Sequence, residues 1–352
     1  MKNNRRCLIA FAHDIARTSS CQLCTWVCIS HTTPFFIAVL PLPAIDSAST
    51  SAYVRVRREN MTPQVLTDGL RFPEGPVWGP DGTLYVTEIG GGRITAIAPD
   101  GKKRTFAETG GAPNGAALGP DGYLYVTNNG GKNPGYIQRI DPQGKVETLY
   151  ANCDGQPFQG PNDLVMDAHG GFYFTDPGPL TRDGTKFGHL YYARRDGSSV
   201  KRMQYLFLLP NGIALSHDEK TLIVLESLTS RVWGIPIESP GVLGQVDAGA
   251  RSGAPRSWPI SALLTTVPQP AAPDGMCVDE AGNMLICAHN GGVVSVHAPD
   301  GKPLSLVTVE DRRLTNCCFG GEDYRTLYIT ESGLGRVATV RWERAGLKLH
   351  DH

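Results

Sequence analysis

The sequence predicts an all-β protein, a six-bladed β-propeller with four-stranded blades around a central channel, and three observations carry that expectation. Glycine and proline number 41 and 26 among 352 residues, and both break helix interiors. Short apolar triplets recur between Asp-Gly turns, and Asp-Gly supplies the positive φ that tight hairpins require. One phrase of strand, acidic turn and strand returns six times along the chain.

The first copy runs Glu74-Gly-Pro-Val-Trp, then Gly-Pro-Asp81-Gly, then Leu-Tyr-Val-Thr87. The second is Asn114-Gly-Ala-Ala-Leu, Asp121-Gly, Leu-Tyr-Val-Thr127. The third is Asn162-Asp-Leu-Val-Met, Asp167 to Gly171, Phe-Tyr-Phe-Thr175. The fourth is Asn211-Gly-Ile-Ala-Leu, Ser-His-Asp218, Thr-Leu-Ile-Val224, and the fifth is Asp274-Gly-Met-Cys-Val, Asp279 to Asn283, Met-Leu-Ile-Cys287. A degenerate sixth runs Asn316-Cys-Cys-Phe, Gly-Gly-Glu322, Leu-Tyr-Ile-Thr330. Each copy reads as an innermost strand, a hairpin turn and a second strand. A third strand follows in several, as in Arg93-Ile-Thr-Ala-Ile before Asp100, Tyr136-Ile-Gln-Arg-Ile before Asp141 and Val293-Val-Ser-Val before Asp300.

The opening residues of the copies lie 40 to 63 residues apart, room for a four-stranded blade with loop insertions. One blade cannot bury both of its faces, so the blades must stack radially. The segment near Gln64–Leu66 is expected to close the ring as the outer strand of the last blade. A β-sandwich would not explain six copies of one phrase. The Gly-, Pro- and Ser-rich stretch from Pro236 to Pro273 reads as a surface excursion, and Asp176–Gly188 reads as a loop over the channel mouth.

Residues 1–60 lack the turns and triplets of the rest. They read as a leader, disordered or outside the native fold, with Met61 as the true start; a targeting segment is the alternative. Their apolar run from Cys24 to Leu42 is broken by His31, Thr32, Thr33 and Pro34, which argues against a spanning helix. Residues 61–352 form the propeller domain. Nine cysteines at irregular spacing do not make a disulfide framework. Cys277 and Cys287 read as small hydrophobes in strands, and Cys21, Cys24 and Cys28 lack the second Cys/His pair of a zinc finger. A formal net charge of −1 leaves no electrostatic footprint for nucleic acid or an anionic membrane. A small-molecule substrate and a cytoplasmic location are expected, with the oligomeric state left open.

In a propeller, equivalent positions of the innermost strands form a ring. Here that ring is Glu74, Asn114, Asn162, Asn211, Asp274 and Asn316, six oxygen-bearing residues. Asn and Asp also cap turns through their own side chains, and for any one position that reading suffices. Six together, with carboxylates at two of them, need a shared partner, and a cation would satisfy them at once. Carboxylate and amide oxygens suit a hard ion such as Ca²⁺, and the ring has no His or Cys for a dedicated zinc or copper site. One divalent ion is expected, calcium first, with Zn²⁺, Mg²⁺ or Mn²⁺ as alternatives.

The phrases Phe72-Pro-Glu74-Gly-Pro-Val, Gly160-Pro-Asn162-Asp163-Leu-Val, Leu209-Pro-Asn211-Gly-Ile-Ala and Pro273-Asp274-Gly-Met resemble the senescence marker protein 30/gluconolactonase/luciferin-regenerating enzyme family, in its order and over essentially all of residues 61–352. The resemblance implies Glu74, Asn162, Asn211 and Asp274 as ligands of one divalent metal, and Asp274 as proton acceptor and donor. Asn114 and Asn316 have no counterpart in it and remain supporting residues. Members acting on sugar lactones often carry a basic residue two places before the third-blade Asn. This chain has Gly160 there, so a sugar acid lactone is not carried over.

The expected activity is metal-dependent lactone or ester hydrolysis, with the carbonyl polarised by the metal and water attack assisted by Asp274. Asn162, Asp163 and His289 are expected to contact substrate; a turn-stabilising Asp163 and a surface His289 are the structural alternatives. Phosphotriester hydrolysis and a non-catalytic ligand-binding propeller are the other readings. A Ser-His-Asp hydrolase is poorly supported, because no Gly-x-Ser-x-Gly elbow appears at a strand-to-helix turn.

Overall fold

Each of the six repeats forms one antiparallel sheet in the computed structural model, which describes residues 57–59, 61–178, 180–181, 184–185, 187–247, 257–259, 262–268 and 271–348. Blade one comprises Pro73–Trp78, Leu84–Glu88, Arg93–Ile97 and Lys103–Glu108, from the inside outward. Blade two comprises Pro113–Leu118, Leu124–Asn128, Tyr136–Ile140 and Val146–Tyr150. Blade three comprises Leu164–Met166, Gly171–Asp176, Gly188–Arg194 and Val200–Phe207. Blade four comprises Pro210–Leu215, Thr221–Glu226, Arg231–Ser239 and Ala262–Thr266. Blade five comprises Ala272–Val278, Met284–His289, Val293–His297 and Pro303–Thr308, and blade six Leu314–Gly320, Thr326–Glu331 and Arg336–Arg341.

Ring closure follows the expected route. Gln64–Thr67 pairs antiparallel with Arg336–Arg341, placing Gln64 opposite Thr339 and Val65 opposite Ala338. The last blade thus takes its outer strand from the front of the domain, and the innermost strands neighbour one another in cyclic order, blade six against blade one. Arg57–Glu59 adds a parallel strand outside Pro303–Thr308. Residues 1–56, with Cys21, Cys24 and Cys28, lie outside the described residues.

The core is six interfaces, one between each pair of blades, and the pleat of the second strands explains it. Successive side chains on a strand point to opposite faces. Leu124 and Val126 pack with Ile94 of blade one, while Tyr125 between them packs with Phe172 and Phe174 of blade three. Tyr173 turns the other way, to Ile213, Leu222 and Val224 of blade four. Met284 and Ile286 face blade four, whereas Leu285 and Cys287 face blade six. Every blade therefore needs apolar residues on both faces of this strand, which is why the sequence shows continuous triplets rather than strict alternation.

The stretch from Pro236 to Pro273 departs from the surface excursion expected of it. Arg231–Ser239 runs past Pro236, Gln245–Asp247 pairs with Ser257–Pro259, and Ala262–Thr266 pairs with the third strand as the outer strand of blade four. A blade lacking its fourth strand would leave an open edge. Leu264, packed over Gly234, supplies the apolar contact that holds the strand there. Within the mouth loop, Leu180–Thr181 pairs with Gly184–Thr185. Among the described residues no helix is long and apolar enough to cross a membrane.

Candidate functional site

All six innermost strands border a cavity of about 160 Å³ that reaches Asp163 and Asn316, while Glu74, Asn162, Asn211, Asp274 and His289 are not among its lining residues. The residue after each opening residue is glycine in blades one, two, four and five, and close approach of the next blade requires it. A Cβ on Gly212 would lie 2.4 Å from the carbonyl oxygen of Asp274, and one on Gly275 would lie 2.1 Å from Cγ of Asn316. Blade three carries Asp163 at that position, which adds a third carboxylate to the ring.

Hydroxyls link the blades just below the mouth. Thr87 donates to the Asn114 carbonyl, and Thr127 to the Asn162 carbonyl. Thr175 Oγ1 donates to the Asn211 carbonyl at 2.7 Å, and Ser227 Oγ to the Pro273 carbonyl at 2.6 Å. Thr315 Oγ1 reaches the Pro73 carbonyl at 2.9 Å, joined there by Ser332. The residue after the threonine position fixes the chain upstream: Glu88 accepts from Arg71 N, Asn128 from Ala112 N, Asp176 from Gln159 N, Glu226 from Leu208 N and Glu331 from Asp311 N. Blade five has Ala288 there, and its neighbour His289 bonds the Leu314 carbonyl at 3.2 Å instead. Phe72 and Leu209, each followed by Pro and then Glu74 or Asn211, are held at φ of 57° and 59°. Such left-handed backbone costs a bulky residue about 1–2 kcal/mol.

Glu74, Asp163 and Asp274 are buried and close enough to repel one another. Burial first, then the charges of Asp274 and Asp163, holds the Glu74 carboxyl well above the ordinary range; hydrogen bonds from Gly75 N and Asn316 pull the other way. Burial pushes Asp163 up to about 7, against hydrogen bonds from Leu164 N and Asn316. Asp274 is raised by burial and eased by His289 and Asn211. The Asn316 side chain is oriented by its own chain: Oδ1 accepts from Cys317 N at 2.8 Å, which turns Nδ2 to Asp163 Oδ2 at 3.4 Å.

His289 Nδ1 lies 3.4 Å from Asp274 Oδ2. Both of its neighbours, this carboxylate and the Leu314 carbonyl, are acceptors, so the ring proton sits on Nδ1. The pairing with Asp274 raises the imidazole above its usual value. His289 is thus half-buried beside the ring, and Asp163 is buried with Oδ2 3.4 Å from Asn316 Nδ2. Asn162 and Asn211 are half-buried at the heads of their blades.

The SMP-30/Gluconolactonase/LRE-like region matches residues 72–333, from the residue before Pro73 to the last loop of blade six. The chain belongs to the SMP-30/gluconolactonase/LRE-like family. It is 28% identical over 315 residues to the gluconolactonase of Zymomonas mobilis, covering 80% of this chain and 82% of that one. It is 27% identical over 220 residues to the diisopropyl-fluorophosphatase of Loligo vulgaris, covering 57% and 63%. Its fold matches that of a gluconolactonase from Xanthomonas campestris with a TM-score of 0.67 at 24% identity, over 83% of this chain and 93% of that one.

Within this SMP-30-like ring the donor chemistry fits a hard cation. Three buried carboxylates that raise one another's proton affinity are a site that a divalent charge would relieve. Among the described residues no group of three or more His, Cys, Asp and Glu side chains is arranged to hold an ion, so amide oxygens have to complete any such site. Reasoning from sequence alone did not find the carbonyl-bonding hydroxyls or the buried residue that follows them, although Thr87-Glu88, Thr127-Asn128, Thr175-Asp176 and Thr330-Glu331 repeat in plain view. It gave Asn316 a supporting place without the direction of its amide.

Proposed function

We propose that this chain is a divalent-metal-dependent hydrolase that opens a lactone or a related carboxylic ester. The observation that carries this reading is the buried trio Glu74, Asp163 and Asp274, gathered at one end of the channel with His289 bonded to Asp274. Kinship with the Zymomonas gluconolactonase supports the ester chemistry.

Glu74, Asn162, Asn211 and Asp274 would hold one divalent ion, calcium first. Such an ion supplies Lewis-acid polarisation of the ester carbonyl and charge stabilisation of the developing oxyanion. Asp274, whose burial raises its proton affinity, accepts a proton from the attacking water and returns it to the leaving alkoxide. His289 Nδ1–H keeps that carboxylate oriented, and Asp163 with Asn162 bounds the substrate side. Water adds across the C–O bond, so the products are the acid and the alcohol.

The rim narrows the substrate class. Phe72, Phe187, Leu228 and Leu334 are exposed, and each sits in a connection at the mouth end of its blade, Leu228 within the 3-10 turn Ser227–Thr229. Together with Gly160 they favour a lactone or ester bearing an apolar substituent over a polyhydroxylated one. A second reading, phosphotriester hydrolysis, is favoured by the similarity to the Loligo diisopropyl-fluorophosphatase. The free thiols Cys153, Cys277, Cys287, Cys317 and Cys318 support a reducing, cytoplasmic location.

A panel of alkyl, aryl and sugar lactones, aryl esters and phosphotriesters, assayed before and after chelation and again with calcium restored, tests the proposal. Turnover of the apolar lactones that is lost with chelation and regained with calcium is expected. Phosphotriester turnover alone would favour the second reading, and inertness toward the whole panel would leave a ligand-binding propeller.

A further inference from the structure

Thiols crowd the channel behind the oxygen donors. Cys277, Cys317 and Cys318 line the central cavity, and Cys287 is buried in the adjacent second strand. Cys277 stands three residues after Asp274 on the innermost strand of blade five. Cys317 directly follows Asn316 on the innermost strand of blade six. Their sulfur atoms are 3.4 Å apart, in contact across two strands that belong to different sheets. A disulfide has a length of about 2.05 Å, so closing the bond asks for an approach of little more than 1 Å, within reach of small side-chain rotations.

Buried thiols are ordinarily inert for want of access and of a partner. This pair has both: Cys277 is partly exposed in the channel, and Cys317 is already against it. We infer that Cys277 and Cys317 are an oxidisable pair, which a small peroxide entering the channel converts to a disulfide tying blade five to blade six. Cys277 sulfur attacks the peroxide, the O–O bond breaks, and a sulfenic acid and one water form. Cys317 sulfur then displaces the hydroxyl, the S–S bond forms and a second water leaves. The two sulfurs lose two electrons, which reduce the peroxide, and a dithiol reductant reverses the change.

The bond would bear on the mouth through one residue. Cys317 N donates to Asn316 Oδ1, and Asn316 Nδ2 reaches Asp163, so drawing Cys317 toward blade five moves the amide that bonds the carboxylates. The disulfide itself does not depend on what the mouth hydrolyses.

The test treats the full-length protein with hydrogen peroxide, blocks remaining thiols and maps peptides by mass spectrometry without reduction. A linked peptide pair containing Cys277 and Cys317, lighter by two hydrogens and separated by dithiothreitol, is expected; Cys277→Ser and Cys317→Ser should each abolish it. Links from either residue to Cys287 or Cys318 would overturn the inference, as would unchanged thiols or overoxidised Cys277 without a link. The wild-type map decides the matter even if a variant fails to fold, and it is unaffected by the outcome of any lactone assay.

Discussion

His289 directs Nδ1 at Asp274 Oδ2, 3.4 Å away, and at the carbonyl oxygen of Leu314, 3.2 Å away, so one imidazole joins the ring carboxylate of blade five to the backbone of blade six. In the other blades a hydroxyl makes the contact to the neighbouring carbonyl. Here a titratable group does, and stability should depend on pH as a result.

The His289 value is raised above 6.5 in the folded protein. Its pairing therefore contributes stability in full below the unfolded value, and that contribution disappears as pH rises through the folded value. His289→Gln should lower the chemical-denaturation midpoint of the metal-free protein more at about pH 6 than at about pH 9. An equal loss at both would show that the pair does not titrate.

Asp163 titrates with the same sign in the neutral range. Its folded value of about 7 stands above the ordinary 3.8, so between those values the folded chain binds the extra proton, and stability falls as pH rises. Calcium would relieve the ionised site. The thermal shift it produces should be larger at about pH 8 than at about pH 6, and binding should release protons in the acid half of that interval. Scanning fluorimetry, and calorimetry in buffers of different ionisation enthalpy, measure both.

Asp274→Asn preserves shape while removing the proton acceptor. Lactone turnover should fall by roughly 100-fold or more, with the circular dichroism of the wild type retained. Metal content measured alongside separates loss of the base from loss of the ion.

Thr127→Val deletes the hydroxyl that reaches the Asn162 carbonyl without changing volume. The Asn162 carbonyl keeps Gly115 N as a donor, so the unfolding free energy should drop by about 0.5–1.5 kcal/mol. An unchanged midpoint in urea would mean that the blade-to-blade hydroxyl bonds contribute nothing.

Much of this was legible in the chain itself. Six copies of one phrase gave the blade number, and Gln64–Leu66 was readable as the closing strand because an apolar segment stood ahead of the first repeat. Glu74 and Asp274 were readable because their Pro-acid-Gly surroundings repeat. Asp163 was harder: it occupies the position that is glycine in four blades, and a sequence does not say that the strand there turns a side chain inward. Asn316 acts only through the direction of its amide, set by the Cys317 N–H. Ala262–Thr266 was hidden because Gly- and Pro-rich flanks mask one short strand whose partner lies a full hairpin away.

Titration of calcium into chelator-treated protein tests the account most directly, followed by a lactone assay on the same samples. One ion per chain, binding weakened by roughly 100-fold in Glu74→Gln, and turnover that tracks occupancy are the results predicted here. Binding untouched by that substitution, or full turnover in protein that elemental analysis finds free of divalent metal, would contradict it.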